Sequence, residues 1–366
     1  MKKLLLLTIT MLIGFANEAL ANQPTKGFWL TNIASRAMYS KDGLQKVVDD
    51  CVKYGFNTIY TVTWNRGCTL YPSKVMKSTF GVEIMPGFEG RDPLKELIEL
   101  AKPKGIKVIA WFEFGFSYAY KNEGGAFIAE KKPHWVALGS DGKVVQKNGF
   151  YWMNAFDEEV QDFILSLVKE VVTSYDIDGI QGDDRLPAVP SEAGYDAQTV
   201  QRYMKEHDGV APPKDCKQDE WVQWRADILN SFMGKLYHEV KALKKSCVVS
   251  MSPSIYPWSK YEYLQDWPSW VKNGYVDNLC PQVYRYDVKA YEKTLKENVL
   301  EYLPKGYLKK LSPGILLKVD DYVAADDYLR SAVQINRKNG VKGEVFFFYE
   351  GISLRSDFFK SYKKLK

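Results

Sequence analysis

The sequence predicts an α/β protein whose single domain, residues 22–366, is a (β/α)8 TIM barrel with long βα loops. Short apolar runs alternate with amphipathic helical stretches, which is the pattern of repeated βα units around a parallel sheet. Several runs, such as VIAW at 108–111 and VFFF at 345–348, are apolar at every position. Strands of that kind are buried on both faces, as in a parallel sheet covered by helices. The alternative, an open doubly wound sheet that binds a dinucleotide, would need a glycine-rich phosphate turn, and the sequence has none.

The first segment, residues 1–21, has the three parts of a secretory signal peptide. Lys2 and Lys3 precede an apolar run at 4–15, and Ala-Leu-Ala at 19–21 forms a cleavage site. The run is too short for a transmembrane helix, which needs about 20 apolar residues. We therefore expect an exported protein, periplasmic or secreted, that keeps no membrane anchor after cleavage.

Eight strands and the helices between them follow along the rest of the chain. The strands are predicted at 27–34, 57–64, 107–113, 179–183, 248–252, 278–284, 311–316 and 343–348. The helices are predicted at 43–54, 93–102, 221–244, 288–302 and 321–338, with another around 160–172 that ends at 175–176 and a last one near 354–362. In the helix that follows the third strand, Val160, Ile164, Leu167 and Val171 recur every three or four residues and form one apolar stripe. Asn154 or Asp157 is a suitable N-cap for it.

Two loops are longer than a barrel requires, one at 71–91 after the second strand and one at 185–219 after the fourth, with a short helix near 196–206. Long βα loops lie at the carboxyl ends of the barrel strands, which is where the active sites of such barrels form.

The composition excludes several classes of protein. A net charge of +5, from 50 basic and 45 acidic residues, comes with no basic block except the tail at 363–366, so we expect no nucleic-acid partner. The three histidines are not spaced with cysteines or carboxylates as metal ligands are, and we expect no metal and no cofactor. The five cysteines form no CxxC pair. A Cys51–Cys68 disulfide is one pairing that the sequence allows, but no feature of the sequence supports it. We expect a monomer.

Carboxylates and aromatic rings dominate the predicted strand ends, and histidine is absent from them. The catalytic candidates are Asp183 and Asp184 after the fourth strand and Glu113 after the third. Glycosidic bond cleavage needs one carboxyl group as acid and a second carboxylate as nucleophile or base. Strand alternation would place Asp183 and Asp184 on opposite faces, and either may be the acid; a structural ion pair with Arg185 is the competing interpretation.

Aromatic rings stack on the C–H faces of sugars, and polar side chains bind their hydroxyl groups. The substrate-binding candidates at the strand ends are Trp64, Asn65, Trp111, Arg185, Trp258, Gln282, Tyr284, Arg285, Tyr349 and Glu350. For the tryptophans, ordinary packing in the core is the alternative.

These segments together resemble one known family. They are GFWLTN at 27–32, WN at 64–65 with LYPS at 70–73, WFEFGF at 111–116, DGIQ at 178–181 before the two aspartates, SMSP at 250–253, PQVYR at 281–285 and FFFYE at 346–350. The chain resembles the exported bacterial glycosyl-hydrolase-like family 10 proteins, which are distinct from the xylanases of that number. That group is similar in turn to barrels that hydrolyse poly-N-acetylglucosamine or stripped peptidoglycan strands.

The resemblance implies that the aspartate pair, Asp183 and Asp184, supplies the catalytic acid and that the substrate is an amino-sugar glycan. Two positions depart from the pattern. Gly182 replaces an aromatic residue and would loosen the pocket wall, while Arg185 replaces a ring-bearing residue and would lower the pKa of the neighbouring acids.

The predicted function is therefore cleavage of a polysaccharide by carboxylate catalysis. A non-catalytic glycan-binding barrel is one alternative, and a metal-dependent deacetylase built on the aspartate pair is another, although the scarcity of histidine speaks against it.

Overall fold

The computed structural model describes residues 23–121 and 123–365; the predicted signal peptide lies outside the described residues. Eight parallel strands, β1 to β8, form the central sheet. They are Lys26–Leu30, Thr58–Val62, Lys107–Phe112, Gly179–Gly182, Val248–Met251, the two parts Asn278–Leu279 and Gln282–Val283 of β6, Gly314–Leu316 and Glu344–Phe347. The α/β barrel predicted from the sequence is confirmed.

The sheet closes on itself through β6. Its first part pairs with β5 and its second part with β7, while β8 pairs with both β7 and β1. The sequence predicted one continuous strand here. Pro281, between the two parts, has no N–H to donate to a neighbouring strand, which agrees with the interruption.

Twelve helices, α1 to α12, are described. Their bounds are Lys41–Tyr54, Lys74–Phe80, Pro93–Ala101, Ala126–Lys131, Glu158–Ser174, Ala197–Glu206, Asp219–Leu243, Trp258–Tyr263, Trp267–Lys272, Val288–Asn298, Asp326–Lys338 and Ser356–Tyr362. Short 3-10 turns lie at Ala37–Tyr39, Lys102–Lys104, Pro133–Trp135, Leu300–Tyr302, Tyr307–Lys310, Tyr349–Gly351 and Ser353–Arg355. Asp157 caps α5 by accepting a hydrogen bond from the Glu159 N–H, which decides between the two predicted caps.

A third long insertion, residues 113–157 after β3, was missed in the sequence. It contains α4 and a three-stranded antiparallel sheet of Ser117–Tyr120, Gln146–Lys147 and Phe150–Trp152. Smaller hairpins pair Trp64–Asn65 with Cys68–Thr69 and Lys318–Val319 with Tyr322–Val323. The last hairpin explains why α11 begins at Asp326 and not at the predicted 321.

Trp29 fills the middle of the barrel. Its ring centroid lies 5.8 Å from that of Tyr60 on β2, 6.5 Å from Trp111 on β3 and 6.0 Å from Phe347 on β8, and its indole N–H donates to Gln181 on β4. A side chain that reaches four separate strands can only point into the lumen. The lumen is therefore packed, and the open space must lie at the strand ends.

All five cysteines are free thiols, and the Cys51–Cys68 disulfide does not form. In the part of the chain that the structure describes, no helix is long and apolar enough to cross a membrane.

Candidate active site at the carboxyl ends of β3 and β4

The alternation of β4 separates the two neighbouring aspartates. Gln181 points into the lumen, where it accepts from Trp29 and donates to Ser250, and Asp183 follows it on the same side. Asp183 is 1% exposed, whereas the side chain of Asp184 is 28% exposed. The two acids predicted from the sequence are therefore not equivalent, and Asp184 is the one that solvent reaches.

Asp183 is held by hydrogen bonds on both carboxylate oxygens. Its Oδ1 accepts from the Arg185 backbone N–H at 3.0 Å, and its Oδ2 accepts from the Arg185 Nη2 at 2.9 Å and from the Trp111 indole at 3.2 Å. Burial raises the pKa of Asp183 well above its usual range, although the Arg185 charge opposes the shift. This carboxyl group is part of the scaffold of the site.

The guanidinium of Arg185 joins three segments of the chain. Its Nε donates to the Glu113 carbonyl at 2.7 Å, and its plane lies 4.7 Å from the Phe150 ring and 5.7 Å from that of Phe114. Burial lowers its pKa, but the charges of Asp183, Asp184 and Glu113 outweigh burial and raise the pKa above its ordinary value. Arg185 therefore stays charged and contacts β3, β4 and the insertion together.

The Oδ1 atom of Asp184 lies 3.0 Å from the Arg185 Nη1, yet this buried oxygen has no hydrogen-bond partner among the described residues. No hydrogen bond to Oδ2 of Asp184 occurs there either. The carboxyl group is oriented by a charge but keeps its capacity to bond a substrate.

Glu113 is the second carboxylate at the mouth, and it is partly exposed. Its Oε2 accepts from the Asn65 side-chain amide at 2.5 Å and from the Thr31 hydroxyl at 3.4 Å. Burial raises the pKa of Glu113, against the opposing effects of the Arg185 charge and the Asn65 hydrogen bond. The structure thus brings the predicted residues Asn65, Trp111, Arg185 and Glu113 together around the aspartates.

The floor of the mouth is aromatic. Tyr284, predicted from the sequence, packs its ring 5.1 Å from Phe347 and 6.2 Å from Trp29, and it remains partly exposed. Burial first, and then the charges of Asp184 and Asp183, raise the pKa of Tyr284, so its hydroxyl keeps its proton.

Tyr263 forms a wall of the site that the sequence did not reveal. Its hydroxyl accepts from the Asn148 side-chain amide at 2.7 Å, and burial followed by the charge of Asp184 raises the pKa of Tyr263 to about 12. The ring of Trp258, a predicted sugar platform, lies 5.4 Å away and is 46% exposed. Asn148 and Tyr263 lie more than 100 residues apart, so no local pattern could join them.

A cluster of ion pairs holds the insertion at 113–157 over the site. Lys147 donates to both oxygens of Glu192 at 3.0 Å and to Glu262 at 2.7 Å, and Lys217 also pairs with Glu262. These contacts join the insertion, the loop after β4 and helix α8. They hold Phe150, on the same hairpin, against Arg185.

Trp64 and Tyr349 do not lie at the mouth. Trp64 has no exposed surface; its indole donates to the Gly115 carbonyl and its ring packs against Phe163 of α5. Tyr349 is 6% exposed and donates to Asp50 on α1. Both rings are enclosed in the outer layer of the barrel, where a sugar does not reach them.

The remaining predicted residues lie on the other side of the mouth. Gln282 donates to the Ser252 carbonyl at 3.1 Å. Arg285 is turned away from the acids, because it donates to the Thr294 hydroxyl on α10 and to the Tyr284 carbonyl. Glu350 is partly exposed and accepts from the Ser35 hydroxyl at 2.6 Å.

The expectation that Gly182 loosens the wall is wrong. Gly182 leaves no gap in the wall, since a Cβ there would lie 2.6 Å from the Leu186 carbonyl oxygen and 2.7 Å from the end of Met251. Arg185 does lie beside both acids and its charge lowers the pKa of Asp183 as expected, but burial outweighs the cation, so the pKa of Asp183 is raised overall.

Within residues 23–121 and 123–365, no group of three or more His, Cys, Asp or Glu side chains is arranged to hold a metal ion.

A family model, described as glycosyl hydrolase-like 10, matches residues 24–302 of the chain. This match confirms the resemblance drawn from the sequence motifs.

Two curated relatives and one solved structure are similar to the chain. Glycosyl hydrolase DigH of Escherichia coli K12 is 24% identical over 319 residues, which cover 74% of this chain and 69% of DigH. Glycosyl hydrolase YngK of Bacillus subtilis is 24% identical over 329 residues, or 78% of this chain and 59% of YngK. The PgaB (BpsB) glycoside hydrolase domain of Bordetella bronchiseptica superposes with a TM-score of 0.68 at 13% identity, covering 94% of this chain and all of that domain. At that identity the superposition shows the fold.

Proposed function

The chain belongs to the glycosyl hydrolase-like 10 family, and on that premise we propose that it is an exported glycoside hydrolase that cleaves an amino-sugar polysaccharide, such as peptidoglycan strands or poly-N-acetylglucosamine. The observation that carries the proposal is the pair of reachable carboxyl groups, Asp184 and Glu113, at adjacent strand ends of a barrel. Active sites of such barrels form at that face.

Asp184 donates the proton to the glycosidic oxygen as its bond to the anomeric carbon breaks. Of the aspartate pair it is the exposed member, and its carboxylate makes no hydrogen bond within the described residues. Asp183 acts through Arg185, which keeps the Asp184 carboxyl group in place. Asp183 and Arg185 are positioning residues.

Glu113 supplies the second carboxylate. Its Oε2 is held by Asn65 and Thr31, which fixes the carboxyl group at the partly exposed mouth of the barrel. A carboxylate in this position stabilises the positive charge that develops on the sugar ring in the transition state. Tyr284 and Trp258 present rings on which sugar faces can stack.

A second candidate function, glycan binding without catalysis, is favoured by one observation. The guanidinium of Arg185 lies 3.0 Å from the Asp184 Oδ1, so part of this carboxyl group is engaged in an ion pair within the protein.

One experiment separates these candidates. The mature chain and its Asp184→Asn variant are incubated with denuded peptidoglycan and with poly-N-acetylglucosamine, and new reducing ends are counted. General acid catalysis contributes about 10²–10⁴-fold, so the variant should lose at least 100-fold in rate while its thermal unfolding stays unchanged. Asp357→Asn on α12, whose side chain is 83% exposed, is the matched control.

Undiminished activity of Asp184→Asn would remove the catalytic assignment. Saturable binding of a glycan by the wild-type chain, with no new reducing ends after long incubation, would establish the binding alternative.

We also propose that the protein is periplasmic or secreted and acts as a monomer. The proposal of export is based on the predicted signal peptide at 1–21. The mass of the protein recovered outside the cytoplasm should correspond to a chain that begins at Asn22, and its elution from a sizing column should give one chain per particle. An uncleaved chain in the cytoplasmic fraction would contradict export.

A further inference from the structure

Two tyrosine rings pack against each other at the surface, at a place that the proposed active site does not use. Tyr286 lies in the loop between β6 and α10, and Tyr322 lies in the hairpin between β7 and α11. Their ring centroids are 4.8 Å apart and the ring planes are nearly perpendicular, at 82°. Tyr286 is 65% exposed and Tyr322 is partly exposed. A single exposed ring is ordinary, but these two rings, the tyrosine pair, come together from separate loops and form a defined apolar surface.

The backbone on both sides of the tyrosine pair is anchored. Tyr286 directly precedes Asp287, which caps α10 by accepting a hydrogen bond from the Ala290 N–H at 2.8 Å. The hairpin that carries the other ring is closed at its base by a hydrogen bond from the Ala324 N–H to the Leu317 carbonyl at 2.9 Å. A ligand that stacks on rings held in this way loses little free energy in ordering them.

The tyrosine pair lies on the same face of the barrel as the proposed catalytic carboxyl groups. The loops after β6 and β7 emerge at the carboxyl ends of these strands, as Asp184 does at the end of β4 and Glu113 at the end of β3. Neighbouring strands lie about 5 Å apart, so the ends of β4 and β7, three strands along the sheet, are separated by about 15 Å at most. Tyr286 is two residues past Tyr284 of the floor, and two residues span at most about 7 Å. A polysaccharide bound at this face is long enough to reach both places.

The surroundings of the tyrosine pair favour a glycan over a protein as the ligand. Asp287 and Asp321, which adjoin the two rings in sequence, are exposed. A protein interface of ordinary size buries about 800 Å² on each partner, and two rings edged by carboxylates supply only a small part of that area. A sugar unit needs a ring face for its C–H groups and nearby acceptors for its hydroxyl groups, and the pair and its two carboxylates offer both.

We infer that the tyrosine pair is a binding site for sugar units of a polymeric glycan, at a distance from the bond that is cleaved. The inference rests on the proposed function and extends it, because neither tyrosine is one of the acids or of the rings around them. It implies that the pair contributes to the affinity for long glycans and not to bond cleavage itself.

The test measures the release of reducing ends by the mature chain and by its Tyr286→Ala and Tyr322→Ala variants. The polymer is whichever of denuded peptidoglycan and poly-N-acetylglucosamine the wild-type chain cleaves faster. Each substitution should raise the polymer KM about three- to tenfold, the usual contribution of an aromatic contact, and leave kcat unchanged. The corresponding disaccharide has one sugar unit on either side of the bond cleaved at Asp184, so its kcat/KM should not change. If the chain binds glycan without cleaving it, the same increase is expected in the polymer Kd.

Two further variants serve as controls. Tyr286→Phe keeps the ring and should retain the wild-type polymer KM, because stacking provides the affinity. Leu243→Ala removes a 42% exposed apolar side chain at the end of α7, which leads to the amino end of β5 on the opposite face of the barrel, and it should have no effect. The thermal unfolding midpoint of Tyr286→Ala should match that of the wild-type chain, because the ring is mostly exposed.

The outcomes separate the two proposals. An unchanged polymer KM and Kd in both alanine variants, or an equal rise for the polymer and the disaccharide, would refute the tyrosine site while the proposed function stands. A wild-type dimer that becomes a monomer in Tyr286→Ala would assign the rings to an interface between copies of the chain and would also refute the tyrosine site. If the wild-type chain neither cleaves nor binds either polymer, the proposed substrate class is refuted, and the tyrosine site is refuted with it.

Discussion

Replacing Arg185 by methionine should destabilise the fold as well as the site. The substitution removes the hydrogen bond from Nη2 to Asp183 and that from Nε to the Glu113 carbonyl, together with the stacking on Phe150. Asp183, 1% exposed, would keep only the Trp111 indole and the backbone N–H of residue 185. Leaving a buried charge without its partner costs about 3–5 kcal/mol of unfolding free energy.

The loss should depend on pH because Asp183 can escape it by taking a proton. Its folded pKa already lies above the unfolded value of about 3.9, and removal of the guanidinium raises it further. The stability contributed by such an acid is complete below the unfolded pKa and is lost as the pH rises through the folded pKa. At low pH we therefore expect a loss of about 1–2 kcal/mol from the missing hydrogen bonds and stacking, and we expect this loss to grow as the pH rises and Asp183 must ionise.

Urea unfolding followed by tryptophan fluorescence at pH 4, 6 and 8 measures both quantities. The control is Arg202→Met on α6, whose ion pair with Glu206 is 46% exposed on both sides. An exposed ion pair of this kind contributes about 0–1 kcal/mol to the unfolding free energy at every pH at which the carboxylate is ionised. A loss for Arg185→Met below 1 kcal/mol, or one that does not grow with pH, would refute the buried-charge reasoning.

Two further substitutions test the walls of the site. Tyr263→Phe should lower kcat at least tenfold with little change in KM, because it removes a protonated hydroxyl near the acid. The lost hydrogen bond from Asn148 should cost no more than about 1.5 kcal/mol of unfolding free energy. An unchanged kcat would exclude Tyr263 from contact with the transition state. Gly182→Ala should destabilise by about 1–3 kcal/mol because its Cβ would meet the Leu186 carbonyl oxygen at 2.6 Å. Gly139→Ala is the control, because the atom nearest its added Cβ is the Asp141 Oδ1, at 3.3 Å and at the end of a flexible side chain. Equal losses of unfolding free energy in the two variants would contradict the argument from close packing.

The regular part of the fold was predictable because periodicity is local. The apolar stripe of α5 and the acidic cap at Asp157 lie within one stretch of sequence, and both were found. The split of β6 carried a local signal, Pro281, but its separate pairing with β5 and with β7 depends on residues far apart in the sequence. The insertion at 113–157 was missed for a related reason, since its strands are two to four residues long and too short to show a period.

In the site, the residue types were predictable and their accessibility was not. Strand ends in a barrel converge, so Glu113, Asp183 and Asp184 could be placed together from sequence position alone. The alternation of β4 gave the two aspartates opposite sides, but the sequence did not show which side is enclosed; in the structure Asp183 lies on the lumen side with Gln181 and is 1% exposed. Trp64 lies in the first strand of the hairpin at 64–69 and packs outward against α5, and the sequence could not distinguish this from an inward-facing ring.

Arg185 joins the separate parts of the site. One guanidinium contacts Asp183, Asp184, the Glu113 carbonyl and the ring of Phe150, so the acids, strand β3 and the insertion share a single support. A ring without an N–H or O–H group at this position would supply no donors, and Asp183 would then have to be neutral or find another partner. The insertion would also lose its contact with the acids. The Phe150 hairpin is held in place by that contact and by Lys147, which binds Glu192 in the loop after β4 and Glu262 in α8. The identity of residue 185 thus determines both the electrostatics of the acid pair and the shape of the wall above it.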